Sequence, residues 1–244
     1  MQRPVVRVGV IGAGFVGSAL VQLLSDPTRH HAILDAATAP LELVGVAVRD
    51  VTKPRPGIDS RLLTADVERL IASDLDVLVE VVGGIEPSRG YIQSALGRGV
   101  SVVTANKALM AESGTQLAQL AHKHGADLFY EASVGGAIPI LRALRISLAG
   151  ERISRVMGIV NGTTNFILTK MTNEGSDYAS ALAEAQALGY AEADPRADVE
   201  GYDAAAKVQI LSSLAFGTSL CGEEIAREGI TGIRRVDVEF ARRS

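Results

Sequence analysis

Five runs of aliphatic and β-branched residues punctuate the first half of the chain: VVRVGVI (5–11), LELVGVAV (41–48), DVLVEVV (76–82), SVVTA (101–105) and DLFYEAS (127–133). Each is nearly continuous in hydrophobicity, the pattern of strands covered on both faces, as in parallel sheets. Helix-like stretches fall between them, over Phe15–Leu24, Val67–Ala72, Pro87–Gly97 and Ala108–His124. Proline near the first turn of the third and Gly125 just past the fourth suit a start and a stop. Alternation of this kind predicts an α/β fold, a doubly wound parallel sheet with right-handed crossovers.

After about residue 135 the rhythm changes. IPILRALRISLAG reads as a helix and ISRVMGIVNG (153–162) as a strand. TTNFILTKMTNEG, YASALAEAQALG and YDAAAKVQILSSLAFG read as three helices, with a further helix around Val236–Arg243. The organisation expected is a Rossmann-like nucleotide domain over 1–135 and a smaller α+β domain over 136–244, the change falling near Gly135–Gly136.

With 244 residues and 47 % apolar composition, the chain is long enough for a sizeable core, and the absence of Trp makes that core aliphatic. A net charge of −4 argues against nucleic acid, which needs a basic surface. No apolar run reaches membrane-spanning length. The N-terminus enters a strand pattern at once, leaving no room for a signal peptide, and a single cysteine fits a reducing compartment. A soluble cytoplasmic protein is the expectation, with Cys221 read as a packing residue. His30, His31, His122 and His124 show no metal-ligand arrangement and read as surface or loop residues.

VVRVGVIGAGFVGSAL carries G-x-G-x-x-G as Gly12, Gly14 and Gly17, directly after a strand and opening a helix. Gly12 permits the tight turn, Gly14 lets the backbone approach a pyrophosphate, and Gly17 lets helix and strand pack closely. The helix N-terminus adds unpaired N–H groups and the positive end of a dipole. This context predicts dinucleotide binding. At the end of the second strand, VAVRDVTKPR places Arg49 first, then Asp50, with Lys53 and Arg55 close behind. A guanidinium suits the 2′-phosphate of NADP, while Asp50 leaves NAD open.

Further along, VVTANKALMAESG sets Lys107 at a helix start past the carboxyl end of a strand, the edge where open parallel sheets bind ligands. Ligand contact and a solvated surface lysine are both open there. EASVGGAIPI joins the two halves, its Gly-Gly step serving either as a hinge or as a turn that leaves carbonyls for a hard cation. In GYAEADPRADVEGYDAAAK the acids Glu192, Asp194, Asp198, Glu200 and Asp203 precede Lys207. Asp203 and Lys207 share a helix face four residues apart. Ala204, Val208, Leu211 and Ala215 form an apolar stripe that Ile210 and Leu214 widen, predicting a largely buried helix. Burial lowers a lysine's pKa and a neighbouring acid raises it. A helix-entry salt bridge among solvated acids, or a proton-exchanging amine, fits that pattern.

GAGFVGSAL, VVTANKALMAESG, YEASVGGAIPI, GIVNGTTNFIL and GYAEADPRADVEGYDAAAK occur in the order found in homoserine dehydrogenases, and the resemblance covers nearly the whole chain. It implies a Rossmann-like domain plus a substrate and dimerisation domain, and NAD(P)-dependent interconversion of aspartate 4-semialdehyde and L-homoserine. On that resemblance Lys207 is the catalytic lysine and Asp203 its acidic neighbour. Glu192 binds substrate, with Asp198 among the acids that meet its α-ammonium. Lys107 lies near nicotinamide and substrate, and Phe15 and Val16 fall in the loop that touches the cofactor. The carbonyls of Glu131, Val134, Gly136 and Ile138 match a monovalent-cation site, read as sodium. A homodimer is implied.

Members of that family continue past EFARRS with further strands, a closing segment and often a regulatory ACT domain. A chain of this length is therefore expected to leave apolar surface and a sheet edge uncovered, to weaken one wall of the cofactor site, and to lack threonine control through an ACT domain. A dehydrogenase acting on another small amino-acid aldehyde is the runner-up among enzymes. The rival from another class is a catalytically silent homologue that binds nucleotide and associates with other subunits.

Overall fold

The computed structural model describes residues 5–26 and 39–243, so His30 and His31 lie outside the described residues. The chain divides into two compact units, Met1–Ile140 and Leu141–Ser244, the division falling slightly beyond the Gly135–Gly136 step.

In the first unit the elements run β1 (Val6–Ile11), α1 (Phe15–Ser25), β2 (Leu41–Ala47), β3 (Leu63–Thr64), α2 (Val67–Ala72), β4 (Val77–Glu80), α3 (Ser88–Gly97), β5 (Ser101–Thr104), α4 (Lys107–Lys123) and β6 (Leu128–Phe129). They build one six-stranded sheet in the order β3-β2-β1-β4-β5-β6, and every neighbouring pair is parallel. The order reverses between β1 and β4, and sheets of this kind bind ligands beyond the carboxyl ends of the strands at such a point.

Two differences from the sequence reading concern the sheet's edges. Strand β3 is two residues long, too short to leave a hydrophobic run. Strand β6 ends at Phe129, where the chain turns into a 3₁₀ segment, Glu131–Ser133. The core is aliphatic: Val8 and Val10 from β1, Val46 from β2 and Val79 from β4 pack with Val21 of α1, each contributing roughly 1.5–3 kcal/mol by leaving water.

The second unit is helical. A turn at Ile140–Arg142 (α5) runs into a π-helical turn, Ala143–Ser147, followed by α6 (Gly162–Glu174), α7 (Tyr178–Ala187), α8 (Arg196–Val199), α9 (Tyr202–Phe216) and α10 (Arg235–Ala241). Gly175 and Gly217 end α6 and α9 in the left-handed region, which glycine adopts without a Cβ penalty. Ile167 and Met171 of α6 meet Ala181 and Ala185 of α7 and Val199 of α8 in its core.

The strand expected over 153–162 is not formed. Residues 152–161 lie outside any helix or strand, and no strand occurs in this unit among the described residues. A strand exists only through ladder bonds to a neighbour; here Met157 and Ile159 stand 80 % and 78 % exposed. Nor is α9 largely buried. Ile210, Leu211 and Ser212 are buried, while Val208 and Phe216 are exposed, so the apolar stripe is wider than the surface packed against it. Cys221 is exposed rather than packed, because the chain past Gly217 runs into a surface turn over Gly222–Glu224. His122 and His124 are exposed at the end of α4. Among the described residues no helix is long and apolar enough to cross a membrane.

Candidate active site

The glycine turn between β1 and α1 is shaped as its spacing requires. Gly12 has φ +103°, and a Cβ there would meet the Val81 carbonyl oxygen at 2.9 Å. A Cβ on Gly17 would stand 2.0 Å from the Gly12 oxygen, so helix and turn close only over glycine. Nothing lies within 4 Å of a Cβ built on Gly14, leaving that approach open. Gly14 caps α1 without a side-chain bond, and Phe15 and Val16, in the helix's first turn, are 95 % and 57 % exposed.

A cleft of about 640 Å³ opens beside this turn, lined by Gly12, Gly14, Arg49, Asp50, Lys53 and Arg55 together with Val82 and Gly83 from the loop after β4. That volume lies in the range of small-molecule sites. Within it Asp50 is engaged by its own loop. Its Oδ1 accepts from the Thr52 hydroxyl at 2.6 Å and from the Thr52 N–H at 2.9 Å, which hold the carboxyl below its ordinary pKa. Arg55 Nη1 donates to the carbonyls of Asp50 (2.8 Å) and Lys53 (2.9 Å), drawing the loop closed. A glycine cradle and a helix N-terminus, with Arg49, Lys53 and Arg55 along the same cleft, fit a dinucleotide.

Lys107 begins α4, directly after the capping residue Asn106, whose side chain accepts from the Leu109 N–H. Nearby in sequence, Glu131, Val134, Gly136 and Ile138 occupy the turn after β6, where Gly135 and Gly136 have φ +81° and +58°. The Glu131 carbonyl accepts from Val134 N–H at 3.3 Å and the Ile138 carbonyl from Ile140 N–H at 2.8 Å. A carbonyl oxygen can accept from an N–H and still face a hard cation. Among the described residues no group of three or more His, Cys, Asp or Glu side chains comes together for a metal.

In the second unit the acids of GYAEADPRADVEGYDAAAK do not form a single belt. Lys207 Nζ donates to Asp203 Oδ2 at 2.5 Å and to the Val160 carbonyl; the two side chains are 16 % and 10 % exposed. Asn161 Nδ2 bridges two carboxylates, Asp203 Oδ2 at 2.9 Å and Asp198 Oδ1 at 2.7 Å. Burial pushes the Lys207 ammonium below its ordinary pKa, and the charge on Asp198 pulls the other way.

Asp194 turns aside to Arg196 (2.6 Å), which holds its carboxyl down to about 2. Glu192 is exposed, its carbonyl accepting from Gln186. Thr163 Oγ1 donates to the Tyr190 carbonyl at 2.7 Å and Phe166 packs on the Tyr190 ring, anchoring the turn that bears Glu192 to α6.

Asn161 was not singled out for a role by the sequence reading. A signal was present in N-G-T-T: an asparagine before a helix is a cap, and here its Oδ1 accepts from the Thr164 N–H at 2.8 Å and the Thr164 hydroxyl at 2.9 Å. Locked that way, its amide has only one direction left, toward the two acids.

Models of known families match both units: the homoserine dehydrogenase NAD-binding domain over residues 12–131 and the homoserine dehydrogenase domain over 139–244. A curated homoserine dehydrogenase of Mycobacterium tuberculosis is 54 % identical over 237 residues, 97 % of this chain and 53 % of its own length. The crystal structure of a homoserine dehydrogenase from Thiobacillus denitrificans aligns with a TM-score of 0.91 at 39 % identity, over 99 % of this chain and 56 % of that one. A hyperthermophilic archaeal homoserine dehydrogenase solved in complex with NADPH aligns with a TM-score of 0.81 at 32 % identity, over 95 % and 75 %. The chain spans about half the length of the curated relatives it matches.

Proposed function

The chain belongs to the homoserine dehydrogenase family, and from that membership we propose that it takes part in the reversible, NADP-dependent reduction of L-aspartate 4-semialdehyde to L-homoserine. The observation that carries the reading is the environment of Lys207: an amine withdrawn from water, pinned between Asp203 and the Val160 carbonyl, with its pKa lowered. A group that exchanges a proton with a reacting oxygen works best when its pKa is brought toward the working pH.

When bound, the dinucleotide supplies or accepts the hydride at the aldehyde carbon. The chain's own residues do the rest. Gly12, Gly14 and Gly17 with the first turn of α1, including Phe15 and Val16, hold the pyrophosphate end. Arg49, with Lys53 and Arg55 near it, meets the 2′-phosphate, and the occupation of Asp50 by Thr52 supports NADP over NAD. The Lys207 ammonium gives its proton to the aldehyde oxygen as reduction proceeds; in reverse the amine takes the hydroxyl proton. Asp203 orients that amine. Glu192 and Asp198 meet the substrate's α-ammonium, and Lys107 stands at the carboxyl edge of the sheet toward nicotinamide and substrate. The carbonyls of Glu131, Val134, Gly136 and Ile138 hold a monovalent cation, sodium. A homodimer and a cytoplasmic setting complete the reading, the latter supported by the lone exposed thiol of Cys221.

The test is NADPH oxidation by the purified chain with aspartate 4-semialdehyde, beside an aldehyde of the same length lacking the α-amino group. Turnover of the first and not the second is expected. Equal turnover of both would move the reading to another aldehyde reductase. NADPH binding without turnover of either would leave a nucleotide-binding homologue.

A further inference from the structure

Glu80 ends β4 with its side chain wholly buried, and nothing in the catalytic reading uses it. A carboxylate taken out of water costs several kcal/mol unless donors surround it. Here they do. Oε1 accepts from the N–H groups of Val82 (2.9 Å) and Gly83 (3.1 Å), with the Ser88 hydroxyl at 3.3 Å. Oε2 accepts from the Thr104 hydroxyl at 2.6 Å. Glu80 and Thr104 are register partners at the carboxyl ends of β4 and β5.

The contacts continue in one direction. Because the Thr104 hydroxyl spends its single proton on Glu80, its oxygen is left to accept, and it takes the Asn106 N–H at 3.0 Å. Asn106, itself 4 % exposed, donates from Nδ2 to the Gly84 carbonyl at 2.6 Å and caps α4 through Leu109 N–H. Two loops are thereby stitched together. One, through Val82 and Gly83, walls the nucleotide cleft; the other presents Lys107.

We propose that Glu80, acting through Thr104 and Asn106, is a positioning residue that fixes the backbone of Lys107 relative to the wall of the nucleotide cleft. A carboxylate is needed because both oxygens must accept; a glutamine would accept at one and present N–H₂ at the other. The threonine hydroxyl is needed because it must donate and accept at once. The consequence for turnover rests on the proposed dehydrogenase reading, whereas the tie between the loops does not.

The variants are Thr104→Val, which removes the relay, Thr104→Ser, which keeps the hydroxyl, and Glu80→Gln, which reverses the polarity at Oε2 alone. Amide exchange on the purified chain reads the tie, and NADPH titration with aspartate 4-semialdehyde turnover reads its consequence. In Thr104→Val and Glu80→Gln, exchange at Asn106–Leu109 is expected to speed about tenfold, as for one lost buried hydrogen bond. NADPH affinity should stay within about twofold, while kcat falls about 10- to 100-fold, as for a misplaced reacting group. Thr104→Ser should restore wild-type values. Unchanged exchange and turnover in both variants would overturn the proposal. So would loss of NADPH binding in step with turnover, since that marks a general fold defect. A wild-type chain that turns nothing over, yet shows the exchange pattern, supports the tie and fails the dehydrogenase reading.

Discussion

Lys207 Nζ stands 2.5 Å from Asp203 Oδ2, one helical turn back on the same face of α9, with both side chains largely withdrawn from solvent. Two opposing demands meet at the amine: burial favours its neutral form and the charge on Asp198 favours the ammonium, with burial the larger effect. The outcome is a cation that gives up its proton more readily than a solvated lysine does.

That balance predicts the pH dependence of homoserine oxidation. On the proposed reading the amine takes the hydroxyl proton in that direction, so kcat/KM should rise with pH along a limb centred below the ordinary lysine value. Plotting log kcat/KM against pH checks it; a limb at or above the value of a free lysine would contradict the lowered pKa.

Asp198 and Asn161 move the limb in opposite directions. Asp198→Asn removes the charge that favours the ammonium, so the limb should shift to lower pH. Asn161→Asp places a third carboxylate beside the pair, so the limb should shift to higher pH. Asn161→Ala, which also removes the cap of α6, should lower stability by about 1 kcal/mol, measurable by denaturant melting.

Cofactor choice should respond to the loop after β2. Arg49→Ala with Lys53→Ala removes two cations from the cleft. NADPH affinity should fall about 10- to 100-fold, the range for hydrogen bonds to a charged group, while NADH affinity stays within about twofold of its starting value. Fluorescence titration with each cofactor separates the outcomes.

Gly17→Ala tests the turn itself. A Cβ 2.0 Å from the Gly12 oxygen cannot be relieved by moving a flexible side chain, because the obstacle is backbone. The variant should lose NADPH binding and melt earlier, whereas Gly14→Ala, which meets nothing within 4 Å, should fold normally.

Much of this arrangement was legible in the chain. The parallel sheet follows from near-continuous apolar strands alternating with helices, and the cradle from Gly12, Gly14 and Gly17. The Asp203–Lys207 pair follows from a spacing of four residues on a helix. What stayed hidden depends on partners remote in sequence. The 153–162 segment has the composition of a strand, but only a neighbour makes a strand. Glu80 reads as one acid ending a hydrophobic run; its importance appears only when Thr104, 24 residues on, faces it across the sheet. Asn161 is visible as a helix cap, whereas its bridge to Asp198 and Asp203 spans 37 and 42 residues. Among the acids before Lys207 spacing singles out Asp203, and local geometry separates others, with Asp194 pairing two residues away and Glu192 facing solvent.

The most direct measurement of the central claim compares wild type, Lys207→Arg and Lys207→Ala at saturating NADPH with aspartate 4-semialdehyde. Arginine keeps the charge but does not release its proton near neutral pH. If Lys207 exchanges the proton, both variants should bind NADPH normally and lose about 10²- to 10⁴-fold in kcat. Turnover by Lys207→Arg close to wild type would show that the position needs only a positive charge, and the proton-exchange account would be wrong.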